Sequence, residues 1–234
     1  MSELIGIVGP SGAGKSTSIF KNESIKIEGL PVEETFIINI ASKPLPLRGW
    51  RKVFIPIDGK GEGNILASDD SAKIISALKF VSNNRPDIKY IILEDYQYVM
   101  AFEFMAKALE KGFEKFSVLA KHAFDILNTA RTLRENLQVF VLTHSEEIQK
   151  DFETVRKMKT IGNLLDSKIT LEGLFNVLLY THTEWDDKSQ KGHYYFITNR
   201  TNDYPSKSPI GMFDDIQIPN DLGYVSAKIN EYNS

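Results

Sequence analysis

Leu4-Ile-Gly-Ile-Val-Gly9-Pro10-Ser11-Gly12-Ala13-Gly14-Lys15-Ser16-Thr17 joins a short apolar run to a glycine-rich turn, with a lysine and two hydroxyl residues behind it. From Gly9 to Ser16 it fits the phosphate-loop pattern G-x-x-x-x-G-K-[ST]. The glycines allow the backbone to approach an anion closely, so that successive N–H groups converge on it, joined by the N-terminus of the helix that such a motif opens. Lys15 is then expected to reach the β- and γ-phosphates and Ser16 to ligate Mg²⁺. Thr17 is left to bond an α-phosphate oxygen or to cap locally, which makes Gly9 to Thr17 the cradle. The context fits, since Leu4–Val8 reads as a buried strand and no breaker follows Thr17 directly.

Working outward, further short runs rich in β-branched or aromatic residues are Thr35–Ile40, Val53–Ile57, Tyr90–Leu93, Val139–Leu142, Leu174–Tyr180 and His193–Thr198. Most are apolar throughout, as a parallel sheet covered on both faces requires. Asp69 to Ser82 carries Ile74, Ile75, Leu78 and Val81 at helical spacing, and Val99 to Leu133 reads as two helices divided at Gly112. This alternation predicts an α/β fold, a P-loop core with a mostly parallel central sheet flanked by helices, in one domain over residues 1–234. Ser42–Trp50, with two prolines, and the glycine-rich Asp58–Asn64 read as loops, as does the mixed stretch Ser145–Lys168.

A phosphate loop needs a second strand that ends in an acid. Tyr90-Ile-Ile-Leu-Glu94-Asp95 supplies one: Asp95 is assigned to the magnesium shell with Ser16, and Glu94 to the same shell or to water activation, with the reverse order open. Val139-Phe-Val-Leu-Thr143-His144 is another buried strand with polar residues at its carboxyl end, the edge where open α/β sheets bind ligands. Thr143 or His144 there could contact the γ-phosphate or the attacking water, the alternative being a histidine that simply ends the strand. His122, His182 and His193 have no metal-ligand spacing and are read as structural.

The chain has 234 residues and no cysteine, which excludes a disulfide framework, Cys-ligated zinc, iron–sulfur clusters and a thiol nucleophile. No oxidising compartment is needed. The opening residues include an acid before a run of only a few apolar residues, so neither a signal peptide nor a membrane span is expected. The formal charge of −3 argues mildly against nucleic acid and leaves room for it only at a local basic patch.

Taken in order, GPSGAGKST, ETFIINIASKPLPLRGW, IILEDYQYVMAFEFM, VFVLTHSEE, TIGNLLDSKITLEGLF and FITNRTNDYPSKSPIGMF give a sequence that resembles the ATPase core of RecA-type recombinases. It is more similar still to small phage-encoded RecA-like ATPases associated with single-strand annealing. The resemblance covers nearly the whole chain, and KPLPLRGW and KSPIGMF are its most particular stretches. It implies ATP with Mg²⁺ between neighbouring subunits of a homo-oligomer, in the host cytoplasm, with single-stranded DNA and a single-strand-binding protein as partners. It also implies that Arg200 and Lys207, in a stretch similar to the recombinase segment that reaches a neighbour's γ-phosphate, act as cationic fingers, against the alternative of solvated charges beside a turn. The loop Ser145–Lys168 matches the DNA-facing loop in position, and its Lys150, Arg156, Lys157 and Lys159 could form the basic patch. The interleaved acids equally suit a plain solvated surface.

One departure stands out. Recombinases carry a catalytic glutamate at the end of their second strand, whereas Ile38-Asn39-Ile40-Ala41-Ser42-Lys43 has no carboxylate; Asn39 could orient a water but not take its proton. Hydrolysis is then slow, DNA-stimulated or served by Glu94. A nucleotide switch in helicase loading, DNA packaging or assembly is the alternative. A small-molecule kinase is less favoured, because the seven arginines (48, 51, 85, 131, 134, 156 and 200) are scattered rather than grouped for a lid.

Overall fold

The computed structural model describes residues 1–150, 153–161, 165 and 169–234. Its centre is β1 (Glu3–Val8), which pairs in parallel with β5 (Gln138–Thr143) on one side and β8 (Val177–Asp186) on the other. Beyond β5 lie β4 (Tyr90–Glu94), β2 (Thr35–Asn39) and β3 (Ile65–Ala67), all parallel. Beyond β8 the sheet turns antiparallel through β9 (Lys191–Ile197) and β10 (Gln217–Pro219). The order is β10-β9-β8-β1-β5-β4-β2-β3.

Continuous apolar runs form the inner strands because both faces are covered. Within β1, Leu4 and Val8 point into one core while Ile5 and Ile7 point into the other; in β5, Val139 and Val141 are likewise opposed by Phe140 and Leu142. The first core is closed by α1 (Ser71–Asn84), α2 (Tyr98–Ala106) and α3 (Glu114–Ala130), the second by α4 (Leu222–Tyr232) and the segment after the glycine-rich turn. The α/β class expected from the alternation is the one observed, and the division at Gly112 holds, with that residue in the left-handed region at φ 94° between α2 and α3. Among the described residues no helix is long and apolar enough to cross a membrane.

Three elements depart from expectation. Val53–Ile57 is not a strand. Pro56 has no N–H to give a ladder, and the chain instead folds back so that the adjoining strand is Ile65–Ala67. Ser145–Lys168 begins not as a loop but as an antiparallel hairpin, β6 (Ser145–Lys150) with β7 (Glu153–Met158). The third is the helix expected behind the phosphate loop. Only a 3₁₀ turn, Thr17–Ile19, forms there, because the Ser18 hydroxyl bonds back to the Lys15 carbonyl (2.6 Å) and Phe20 is already extended. Such short-range hydroxyl bonds compete with helix propagation. The chain then closes a small turn through the Asn22–Ile27 bridge and delivers Ile19, Phe20 and Leu30 to the second core.

Candidate functional site

The segment from Gly9 to Thr17 leaves the carboxyl end of β1 at the centre of the sheet. Gly12 and Gly14 take left-handed φ of 79° and 81°, which only glycine adopts without strain. Lys15 is buried, and its ammonium donates to the carbonyls of Gly9 and Pro10, each at 2.8 Å. Burial lowers its pKa to about 8, against the pull of the Glu94 and Asp95 carboxylates. Behind the loop the Asn220 amide donates to the Ala13 carbonyl (3.2 Å), and Asp221, the N-cap of α4, accepts from the N–H groups of Glu28 and Gly29. The cradle is therefore braced by the start of α4 in place of a helix of its own.

β4 ends beside it. The Ser16 hydroxyl donates to Glu94 Oε1, while Oε2 is buried without a hydrogen-bond partner. Desolvation pushes the Glu94 carboxyl up to about 7, the Ser16 hydrogen bond working in the opposite direction. Asp95 follows in a left-handed conformation, φ 61°, uncommon for a residue other than glycine and frequent where a site holds strain. Its Oδ2 receives the Lys43 ammonium at 2.6 Å, and its Oδ1 lies 3.7 Å from His144 Nε2. Ser16 thus meets Glu94 and not Asp95, the reverse of the first assignment, because the residue that ends the strand points back at the loop whereas the one after it has turned away. His144 is held below its ordinary pKa by burial and then by the nearby Lys15 ammonium, against the pull of Asp95.

One polar residue that belongs to no sequence motif organises the edge. Gln97, buried behind Asp95, accepts through Oε1 from the Thr143 hydroxyl (3.2 Å) and the His144 N–H (3.1 Å). Thr143 is fully buried in this contact, so of the pair Thr143 and His144 only His144 faces the cleft. Asn39 does not face it either. Its amide donates to the Lys43 carbonyl at 2.6 Å and accepts the Lys43 N–H at 3.2 Å, so both ends of the group are spent on the loop that carries Lys43.

These groups open into one cleft of about 1140 Å³, lined by Ser11 to Thr17, Lys43, Glu94, Asp95 and His144, and walled on the far side by Ile25, Tyr194 and Asn220. His193, read as structural, lies on this wall; His122 and His182 are indeed engaged, with Glu103 and with the Tyr204 hydroxyl. Gly9 and Pro10 stand behind the lining and act through the carbonyls that hold Lys15. Arg200 and Lys207 are not brought to the cleft. β9 runs antiparallel with Ile197 opposite Tyr180, so exposed Arg200 follows on the side leading away from the phosphate loop, and Lys207 is tied by backbone to Leu178. The basic patch is largely neutralised across the hairpin. Arg156 pairs with Glu147 and Lys157 with Glu146, each at 3.0 Å, and Arg156 also lies over the Tyr204 ring. Lys159 is exposed; the side chain of Lys150 and the whole of Lys168 lie outside the described residues.

The donor set fits a hard divalent cation. A serine hydroxyl and a carboxylate with a free buried oxygen offer oxygen ligands that leave the remaining positions to phosphate and water, as Mg²⁺ prefers. No protein-family model matches the sequence, and no curated protein matches it. Among solved structures, a KaiC-like protein from the hyperthermophilic archaeon Pyrococcus horikoshii OT3 aligns with a TM-score of 0.47 and 10% identity, over 85% of this chain and 79% of that one.

Proposed function

We propose that the chain is a RecA-like P-loop ATPase that binds ATP with magnesium and hydrolyses it while acting with single-stranded DNA, as an oligomer, in phage recombination or replication. The observation that carries the nucleotide reading is the convergence of the phosphate loop, the Ser16–Glu94 contact and Asp95 at the mouth of one cleft. Lys15 would exchange the Gly9 and Pro10 carbonyls for phosphate oxygens. Ser16 and Glu94 would hold Mg²⁺, which when bound offsets charge on the β- and γ-phosphates. Asp95, beyond Glu94 and next to His144, is the group placed to orient a water and take its proton. The DNA reading rests on the sequence resemblance and on the β6–β7 hairpin, whose root is tied to the site through Ser145 N–H to the Gly9 carbonyl and Lys159 N–H to the His144 carbonyl. Arg200 and Lys207 would act on a neighbour's nucleotide.

A second reading has one observation in its favour: β2 ends in Asn39, whose amide is fully engaged, so no carboxylate stands where recombinases have their catalytic glutamate. In that reading ATP orders loops for a protein partner, such as a single-strand-binding protein or a loader, and turnover is incidental. ATPase measurement with and without single-stranded DNA, on native protein and Lys15→Ala, separates the two. DNA-stimulated turnover lost in the variant supports the ATPase; ATP binding with no turnover and no DNA binding supports the switch.

A further inference from the structure

The end of β2 carries a device for presenting a cation. Asn39 is buried, and its amide clamps the backbone of Lys43 from both sides. The turn between them is tight enough to put Ser42 at φ 53°. Pro44 and Pro46 follow directly and restrict the backbone on the other side. From this fixed base the Lys43 side chain, half exposed, enters the cleft among Lys15, Ser16, Glu94, Asp95 and His144. Its ammonium sits on Asp95 Oδ2 at 2.6 Å and 4.8 Å over the Tyr98 ring. Among the described residues no arginine lines the cleft, and the cations that do are Lys15, Lys26, Lys43 and Lys191. Lys15 and Lys43 are the two whose charge acts on Glu94, and Lys43 also pairs directly with Asp95.

A flexible ammonium on a rigid base, parked on the carboxylate that the ATPase reading assigns to the water proton, suits a group that changes partner when phosphate arrives. We propose that Lys43 is a catalytic residue supplied by the same chain, whose ammonium moves from Asp95 to the γ-phosphate of bound ATP. The proposal rests on the ATPase reading above. In the step, a water oxygen bonds to the γ-phosphorus, the bond from that phosphorus to the β–γ bridging oxygen breaks with its electron pair going to ADP, and the water proton passes to Asp95. Lys43 offsets the charge gathering on the γ-oxygens and, by leaving, frees the Asp95 oxygen that it covers. The second strand contributes the cation, and the acid comes from β4.

The test compares native protein, Lys43→Ala and Lys43→Arg by steady-state ATPase, by calorimetric titration with ATP and separately with ADP, and by thermal melting to establish folding. Lys43→Ala is expected to lose about 100-fold in kcat and roughly tenfold in ATP affinity, with ADP affinity unchanged, and Lys43→Arg to recover part of both. An ion-pair anchor for Asp95 alone would not distinguish ATP from ADP. Turnover within twofold of native, or equal changes for ATP and ADP, overturns the proposal. If native protein binds ATP without hydrolysing it, the ATPase reading fails, and the ATP-against-ADP comparison still decides whether Lys43 touches the third phosphate.

Discussion

Glu94 and Lys15 are both buried, each feels the other's charge, and each is displaced towards its neutral form. Between the ordinary 4.5 and about 7, folded protein keeps a proton on Glu94 that the unfolded chain has released, so stability falls as pH rises through that window. Lys15 works the other way between about 8 and 10.5, where the folded chain has lost a proton that the unfolded chain retains, and stability rises. Nucleotide-free Glu94→Gln should therefore melt higher than native protein at about pH 8, by up to about 3 kcal/mol at ~1.4 kcal/mol for each pH unit, and should show no decline between pH 5 and 7. Scanning calorimetry across that range checks it, and a parallel decline in the variant would contradict it. Lys15→Ala should lose at least about 100-fold in ATP affinity, measured by titration, since it removes a buried charge from the phosphate position. Lys15, Ser16 and the glycines were legible because the motif is local. Lys43 was not, because its significance comes from Asp95, 52 residues away. Gln97 and Asn220 escaped notice for the same reason: amides without a motif acquire meaning only from neighbours across the sheet.

Among the elements, the inner strands were legible because burial on both faces writes an unbroken apolar run. The hairpin β6–β7 was not, since its alternating charges match a solvated loop in composition and reveal themselves only in register, where Glu146 faces Lys157 and Glu147 faces Arg156. That pairing has a measurable consequence. If the hairpin meets DNA, the double substitution Glu146→Gln with Glu147→Gln removes the carboxylates opposite Lys157 and Arg156 and should tighten binding of a single-stranded oligonucleotide severalfold at low salt, with a steeper dependence on salt concentration. Fluorescence anisotropy over a salt series reads both. An unchanged slope would place the DNA contact elsewhere. The missing helix after Thr17 shows the converse limit of pattern reading. The motif predicts a helix, but consecutive Ser16, Thr17 and Ser18 and the polar turn that follows favour local bonds, and the start of α4 takes over the support. Asp221→Ala removes the acceptor for four N–H groups, those of Glu28, Gly29, Gly223 and Tyr224. It should lower stability by about 2–4 kcal/mol and weaken ATP binding with it, as denaturant titration and calorimetry would show.

For the whole molecule, the net charge of −3 and a hairpin whose cations are mostly paired leave little attraction for DNA in one copy. If the chain assembles and meets DNA as proposed, an array would multiply what remains, so DNA affinity should rise with oligomerisation, and both should respond to ATP. Arg200 and Lys207 lie away from their own cleft, which makes complementation the informative assay. Lys15→Ala and Arg200→Ala, each inactive alone, should regain part of the activity when mixed, provided that Arg200 serves a neighbour. Absence of recovery in co-assembled mixtures would count against that role.

The bracing of the phosphate loop by Asn220 and Asp221 also bears on when the site can exist. The contacts that hold Ala13 and Gly29 span 207 and 192 residues of chain, among the longest separations the molecule closes, and such contacts form late in folding. During synthesis the glycine-rich turn emerges 207 residues ahead of the Asn220 amide that braces it. A nascent chain would thus carry a complete sequence motif and an unformed cradle, unable to sequester ATP or seed assembly until the residues around Asp221 have cleared the ribosome. On the ATPase reading, nucleotide binding would report that translation has passed Asp221, and ribosome-arrested chains of stepped length would display this as an abrupt gain of ATP retention.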